Sequence, residues 1–524
     1  MERFKGLQEI FLINKNKCLK KLLIISILLT FNLLYSVCSS SQDLSNEESP
    51  LLMLEDVFQL IEQNHPKLQE EKLEIPLANA ERTRAKSAFI PTIRNRFFIG
   101  DYDDEDGSDE ESIANSSEIN WQSPFALEFF GGFRTTTDDI LASEKLAYPA
   151  DSKGFLDTVR KQELKSPAST EGIFGLRVPL LEGLLIDKSR TEWKISALKQ
   201  KTANYKISIE RGNLLKKAGE LYWKWVKEGI NYRTAENLLS LAKERRDFVQ
   251  KSVNAGLSPE IALTEVQSQI LNREASTKLA EQKFQQASIK LKNFLWQENG
   301  DIIELKKTNA PNSIKNPKKI PLKLEEEHKL LALQQRPELE NFNLELQQLQ
   351  AKLKLAKNEL LPKLDFELTA GQNISRVDGG ASIRGSVFTE LPIVPLKELS
   401  KVQKIETKIQ QIELKRKNQK VMIENEIQEA LVGIRNSSKR VKLNEENLLM
   451  LQRLADGERK RYILGNSTLF LVNQREIAYN RGQIQLVNAL ADYQIFLNDY
   501  QYSIGALSFS KNRTNWYVLL EEEE

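Results

Sequence analysis

The chain predicts a mainly α-helical fold with a small β part, in which long antiparallel helices and four β-strands arise from a two-fold internal repeat. Three observations carry this expectation. The first is a stretch present twice: NHPKLQEEKLEIPLANAERTRAKSAFIPTIRNRFFIG near the start, and QRPELENFNLELQQLQAKLKLAKNELLPKLDFELTAG in the middle. Pro66 matches Pro337, Ala80 matches Ala351, Ala85 matches Ala356, Pro91 matches Pro362 and Gly100 matches Gly371, all 271 residues apart. The second is the absence of proline from Leu180 to Ser258 and after Pro395, with apolar residues at helical spacing in both stretches. The third is short segments of strict apolar/polar alternation that follow or precede prolines, the mark of a strand with two unlike faces.

In chain order, residues 1–38 read as an export signal. Lys15, Lys17, Lys20 and Lys21 precede the apolar run Leu22–Leu34, and YSVCSSSQ follows, the basic, apolar, small-residue order of secretion. Cys38 is a candidate lipidation site, with ordinary cleavage as the alternative. Cys18 is the only other cysteine, so no disulfide is expected within the exported chain. Residues 39–50 form a polar leader.

Residues 51–296 form the first repeat. Leu51–Ser87 reads as a helix, and Pro76 should kink or break it, since proline lacks the amide a helix interior needs. Ile90–Asp101 reads as a strand. The acidic run DYDDEDGSDEES opens an irregular insertion, 101–169, with no counterpart in the second copy. Within it, WQSPFALEFFGGFRT is compatible with a strand or hairpin, even with the true partner strand of this half. FGLRVPL, Phe174–Leu180, alternates with Arg177 on the polar side. A helix over Asp187–Val253 follows, about 100 Å long at 1.5 Å per residue. Its stripe runs through Leu214, Ala218, Leu221 and Trp225, and Gly212, Gly219 and Gly229 should weaken it. The turn NAGLSPEI then leads to a returning helix, Glu260–Leu295, with Gly256 in the left-handed position and Ser258 as cap.

Residues 297–321, rich in proline and turn formers, form a linker. The second repeat, 322–505, runs the same course. Strands near 363–371 and 381–393 come first, with Asp365 and Glu367 on the polar face of the former. A long helix striped by Ile405, Ile409 and Ile412, then Ile423, Ile427, Ala430 and Ile434, leads to the turn ILGNSTLF. There Gly465 should be left-handed and Ser467 should cap. The last helix, Leu469–Ile504, carries two adjacent stripes, which predicts neighbours on two sides. Residues 506–524 form a tail ending in four glutamates.

Net charge is only +2, so no pull toward nucleic acid is expected. His65 and His328 lie on different helices without metal-ligand spacing. No nucleophile elbow, phosphate loop or carboxylate pair emerges, so neither an enzyme nor a cofactor is expected. Strand alternation alone leaves a soluble sandwich and a membrane barrel both open.

Taken together, the features over Leu51–Gly505 resemble the TolC-like outer-membrane efflux family. The residues that carry the resemblance are Asn64–Pro66 and Arg336–Pro337 at helix starts, and Ile90–Pro91 and Leu361–Pro362 before strands. Val178–Leu180 before a long helix and the hairpin tips AGLSPEIAL and RYILGNSTLFLV complete the set. The resemblance implies a homotrimer in which four strands per chain build one twelve-stranded barrel in outer-membrane lipid. The helices would continue it as a tunnel through the periplasm. It implies a channel that passively conducts cargo from a periplasmic membrane-fusion adaptor and an inner-membrane pump of RND or ABC type. Adaptor contact would fall on the tips, at Gly256, Leu257, Ser258, Gly465, Asn466 and Ser467. Asp365, Glu367 and Arg177 would line the barrel lumen. Relatives narrow their entrance with aspartates where this chain has Leu471 and Gln474, which puts an acidic gate in doubt. The competing reading is a periplasmic or surface-anchored coiled-coil lipoprotein scaffold.

Overall fold

The computed structural model describes residues 51–103, 109–136, 169–315, 325–374 and 381–509. The export signal, the leader, Cys38, the core of the acidic run, part of the insertion and the tail beyond 509 lie outside the described residues. The elements are α1 (Leu54–Asn64), α2 (Pro66–Ser87), β1 (Thr92–Asp103), β2 (Asp109–Gln122), β3 (Glu128–Thr136), β4 (Ser169–Pro179), α3 (Lys188–Asn254), α4 (Glu260–Lys292), α5 (Glu325–Gln335), α6 (Pro337–Asn358), β5 (Lys363–Asn373), β6 (Ala381–Glu390), α7 (Leu396–Ile463) and α8 (Leu469–Ser503). Leu52–Leu305 and the chain from Ala310 onward form one unit. A 3-10 turn, Lys307–Asn309, belongs to the other unit.

The repeat is preserved among the helices. α1–α4 correspond to α5–α8, and the two long helices, α3 and α7, are 67 and 68 residues. α3 begins at a proper cap, with Asp187 Oδ1 accepting the Arg190 amide at 2.7 Å. On the sheet side, neighbours run α2–α3–α6–α7; toward the hairpin tips they run α4–α3–α8–α7. Each level is thus four helices abreast, a sheet of helices with two open flanks. The doubled stripe of α8 is explained by its two neighbours, α3 and α7. Gly219 on α3 serves this packing, because a Cβ there would lie 2.3 Å from Asn498 Oδ1 on α8.

Two equivalent cores sit halfway along the long helices. In one, Leu215, Ala218, Tyr222 and Trp225 of α3 are buried with Val57 and Ile61 of α1 and Phe284 and Leu291 of α4. In the other, Ile423, Ile427, Ala430 and Ile434 of α7 are buried with Ala332, Leu339, Tyr493 and Ile504. The isoleucine stripe read from the sequence therefore faces the core, as does Trp225.

Some expectations are corrected. The break in the first helix falls at His65, between α1 and α2, and α2 runs on through Pro76. Pro76 lies on the exposed side of the helix, where the lost backbone bond is readily solvated. Neither serine caps: the helix after the first tip starts from Pro259 without a side-chain cap. At the second tip Thr468 takes that role, and Ser467 donates to Glu458 instead. The linker is partly folded. Ala310 and Ile314 are buried in the first core, and Arg233 donates to the Ala310 carbonyl at 3.0 Å.

The strand count is also corrected, from four to six among the described residues. The sheet runs β1-β2-β3-β4-β5-β6 in sequence order, every neighbour antiparallel. β1 and β4 are not partners. The insertion supplies β2 and β3, and these lie between them.

Candidate functional site: the strand wall and the helix tips

The sheet has two unlike faces, and the pairing register keeps them consistent across all six strands. Ile93 pairs with Ile119 and Ile119 with Gly131; Trp121 pairs with Phe129, Phe129 with Leu176 and Leu176 with Leu368; Ala370 pairs with Ile383. One face therefore carries Ile93, Phe97, Ile119, Trp121, Phe133, Phe174, Leu368, Ile383 and Val387, all of them exposed. Large apolar patches of this extent are not left to water. The opposite face carries Glu118, Glu128, Arg177, Lys363, Asp365, Glu367 and Arg384 by the same register.

On the polar face, the structure brings Arg177 and Glu367 together and keeps Asp365 on the same face, one row away. Arg177 Nη2 lies 3.0 Å from Glu367 Oε2, and its Nη1 lies 3.0 Å from Glu128 Oε2. The guanidinium therefore ties β3, β4 and β5. Glu128 was missed in the sequence, because nothing local reveals that it sits opposite Arg177.

Aromatic side chains gather where the sheet meets the helices. Trp121 stacks on Phe129 with centroids 5.4 Å apart, and its indole N–H donates to the Phe89 carbonyl at 3.0 Å. Phe89 also meets Trp193 of α3 edge-on. Such rings, apolar on one side and hydrogen-bonded on the other, suit a membrane–water boundary. No described helix is long and apolar enough to cross a membrane.

At the far end of the long helices lie the two tips. Gly256 has φ +70° and Gly465 φ +75°, the left-handed conformation expected of both. Leu257 is 81% exposed, and Ile261, Ile463, Leu464 and Phe470 beside the tips are also exposed. Ser258 and Ser467 are half-buried, whereas Asn466 is open to solvent. Leu471 and Gln474 lie on an exposed side of the first turns of α8.

A few turns from the tips, a charged cluster joins the hairpins. Arg245 of α3 reaches Glu476 Oε2 of α8 at 2.9 Å and Asn473 Oδ1 at 2.7 Å. Arg273 of α4 reaches Glu476 Oε2 at 3.4 Å. Burial lowers the pKa of Arg273, with Glu476 acting against it. Sequence reading missed this cluster, since its members come from three separated helices.

The histidines are structural. His65 Nδ1 accepts the Lys67 amide at 3.2 Å, and its ring lies 5.6 Å from Phe294; burial lowers its pKa first, and Lys67 second. His328 is buried against the Tyr500 hydroxyl. The position equivalent to His65 in the second repeat is Arg336, 1% exposed, which bonds Glu338, Glu426 and the carbonyls of Tyr502 and Ser503.

Comparison with known proteins agrees with this geometry. A family described as "Outer membrane efflux protein" matches residues 330–506, essentially the second repeat. No curated protein matches the chain by sequence. Among solved structures, the chain is similar to a membrane protein from Pseudomonas aeruginosa, with TM-score 0.61, 12% identity, and 88% of this chain and 95% of that one covered. It is similar to the Campylobacter jejuni CmeC outer membrane channel, with TM-score 0.61, 14% identity, and 90% and 89% covered. The open-state Neisseria gonorrhoeae MtrE outer membrane channel gives TM-score 0.56, 13% identity, and 86% and 88% covered.

Proposed function

We propose that this chain is a TolC-like outer-membrane efflux protein, one third of a trimeric exit duct that conducts cargo passively out of the periplasm. The observation that carries the reading is the sheet with one face largely apolar and exposed and the other charged. A polar lumen and an apolar outer band are what a membrane barrel needs. Closure needs copies, because an open sheet edge in lipid leaves backbone groups unpaired. β1 and β6 are the two free edges, and they run in opposite directions, so β6 of one copy can continue into β1 of the next.

The helices support the same closure. α7 carries Leu414, Val421, Val432, Leu443, Met450 and Leu454, all exposed. Spacings of 7, 11 and 4 put them on one straight stripe, about 60 Å long. At the other flank, α2 exposes Leu73 and Leu77, and α4 exposes Leu271, Leu279 and Ile289. A second copy is the occupant that covers both flanks at once, and cyclic symmetry repeats the contact until the ring closes. The coiled-coil scaffold reading accounts for the helices but leaves the apolar sheet face in water.

The exposed apolar tips fit the helical hairpin of a periplasmic adaptor, with an inner-membrane pump of RND or ABC type supplying the energy. Leu257→Asp combined with Leu464→Asp should lower efflux at least tenfold. Trimer yield and bilayer conductance should stay unchanged, and a photo-crosslinker at position 261, exposed beside the same tip, should stop capturing the adaptor. Loss of the trimer itself would refute the docking role.

The Glu476 cluster fits a latch, since parting the hairpins at their tips separates Arg245 from Glu476. Glu476→Gln leaves two half-buried guanidinium groups facing each other, a change of about 2 kcal/mol against the closed arrangement, or roughly thirtyfold in the open population. Purified protein in a planar bilayer should then show higher resting conductance. Unchanged conductance would remove the latch from the scheme. The whole reading is tested most directly by conductance of the wild-type protein purified as a heat-modifiable trimer from the outer-membrane fraction.

A further inference from the structure

We infer that the membrane wall of the assembled duct closes with eighteen strands rather than twelve, and that its mouth passes cargo up to about 20 Å across. This rests on the trimeric duct proposed above. Its observation is separate: the strands of the insertion, β2 and β3, are built into the wall.

Four features argue for that. The register runs unbroken from β1 through β2 and β3 into β4, so the hairpin supplies the partner of β1 within the chain and one of the two partners of β4. β2 and β3 keep the same two faces as their neighbours, Ile119, Trp121 and Phe133 on the apolar side and Glu118 and Glu128 on the polar side. They are 14 and 9 residues long, and a tilted membrane strand needs about 9–11. Glu128 on β3 also shares Arg177 with Glu367 on β5, which anchors the hairpin on the side that faces water. A hairpin lying outside the membrane would have no reason to present lipid-compatible rings in register with β4 and β5.

The size follows from geometry. Strands about 4.8 Å apart, tilted about 40°, give eighteen of them a backbone diameter of about 36 Å, against about 24 Å for twelve. Subtracting a layer of side chains leaves a lumen of about 22 Å, in the range where barrels hold an aqueous channel. The helical part agrees: four helices abreast per copy make a ring of twelve, and at about 9 Å spacing its diameter is about 35 Å. An eighteen-stranded wall therefore joins the helical tunnel without a step, and the sheet is not the narrowest place on the path. Cargo of this width includes a polypeptide retaining a helical hairpin as well as small solutes.

Polymer exclusion on the wild-type duct tests the claim. Polyethylene glycol of about 9 Å hydrodynamic radius, added on the outer side of a planar bilayer, should enter the mouth and lower conductance. Exclusion of every polymer above about 6 Å would overturn the wide wall. Single cysteines give the second arm, read above the labelling of the parent protein. Ile119→Cys and Phe133→Cys should react only with a bilayer-soluble maleimide, and Glu118→Cys only with a membrane-impermeant one. A conducting trimer in which all three react with the impermeant reagent would put β2 and β3 outside the wall and sink this inference alone. A protein that neither trimerises nor conducts would sink the duct reading, and this inference with it.

Discussion

Leu368→Arg should abolish assembly into the outer membrane, while Leu368→Trp should be tolerated. Leu368 lies at the middle of β5, exposed on the apolar face, between Leu176 of β4 and Gly385 of β6. In lipid, an arginine at the midplane costs about 2–4 kcal/mol, and the proposed trimer would carry the cost three times. Tryptophan separates lipid from a packed core. Lipid has no fixed shape to violate, whereas an overfilled core loses about 1–3 kcal/mol. Ser386→Arg is the matched control, since Ser386 lies on the polar face opposite Glu367. Fractionation and heat-modifiable migration give the readout. Equal loss from Leu368→Trp and Leu368→Arg would mean that the face is packed against protein.

Arg336→Ala should destabilise each subunit by about 3–5 kcal/mol, the usual consequence of stripping one partner from a buried ion cluster. The guanidinium closes the joint between α5 and α6. It forms a fork with Glu338 at 2.9 and 3.0 Å, reaches Glu426 at 3.1 Å and lies 4.5 Å from the centroid of the Tyr502 ring. Burial pulls its pKa down, but Glu338 and Glu426 outweigh that and hold it above its ordinary value. The Tyr502 hydroxyl is pushed up to about 12, chiefly by burial. Without Arg336, the carboxylates of Glu338 and Glu426 and the last carbonyls of α8 lose a shared donor. Thermal unfolding should fall sharply for Arg336→Ala and less for Arg336→Lys, which keeps the charge but not the fork. Equal melting of the wild type and Arg336→Ala would show that the cluster contributes nothing net.

The long helices were legible in the sequence because their signals are local. Proline absence, a stripe such as Ile423–Ile427–Ala430–Ile434, and glycine at each tip all act within a few turns. The polar side of the wall was partly legible through the alternation around Asp365 and Glu367. What the sequence withheld was set at a distance. β2 carries Asn115 and Ser117 on its apolar face, which dilutes its alternation below recognition; pairing with β1 and β3 fixes it as a strand. Ser258 and Ser467 looked like caps by position, but the helices begin one residue later than that spacing assumes. The Arg245–Glu476–Arg273 cluster and the seating of Ala310 in the first core depend on which helices become neighbours, and no single stretch records that.

The insertion arrives as a whole hairpin, and this has a bearing on how such ducts vary. Adding two strands preserves the up-down parity of the sheet, so the outermost strands still point in opposite directions and, in the proposed duct, sister copies can still dock edge to edge. Because each new hairpin enters between β1 and β4, the joints to α2 and α3 are left as they were. In such a duct, bore becomes a property that can be altered in whole-hairpin steps at a loop, while the helices below keep their packing.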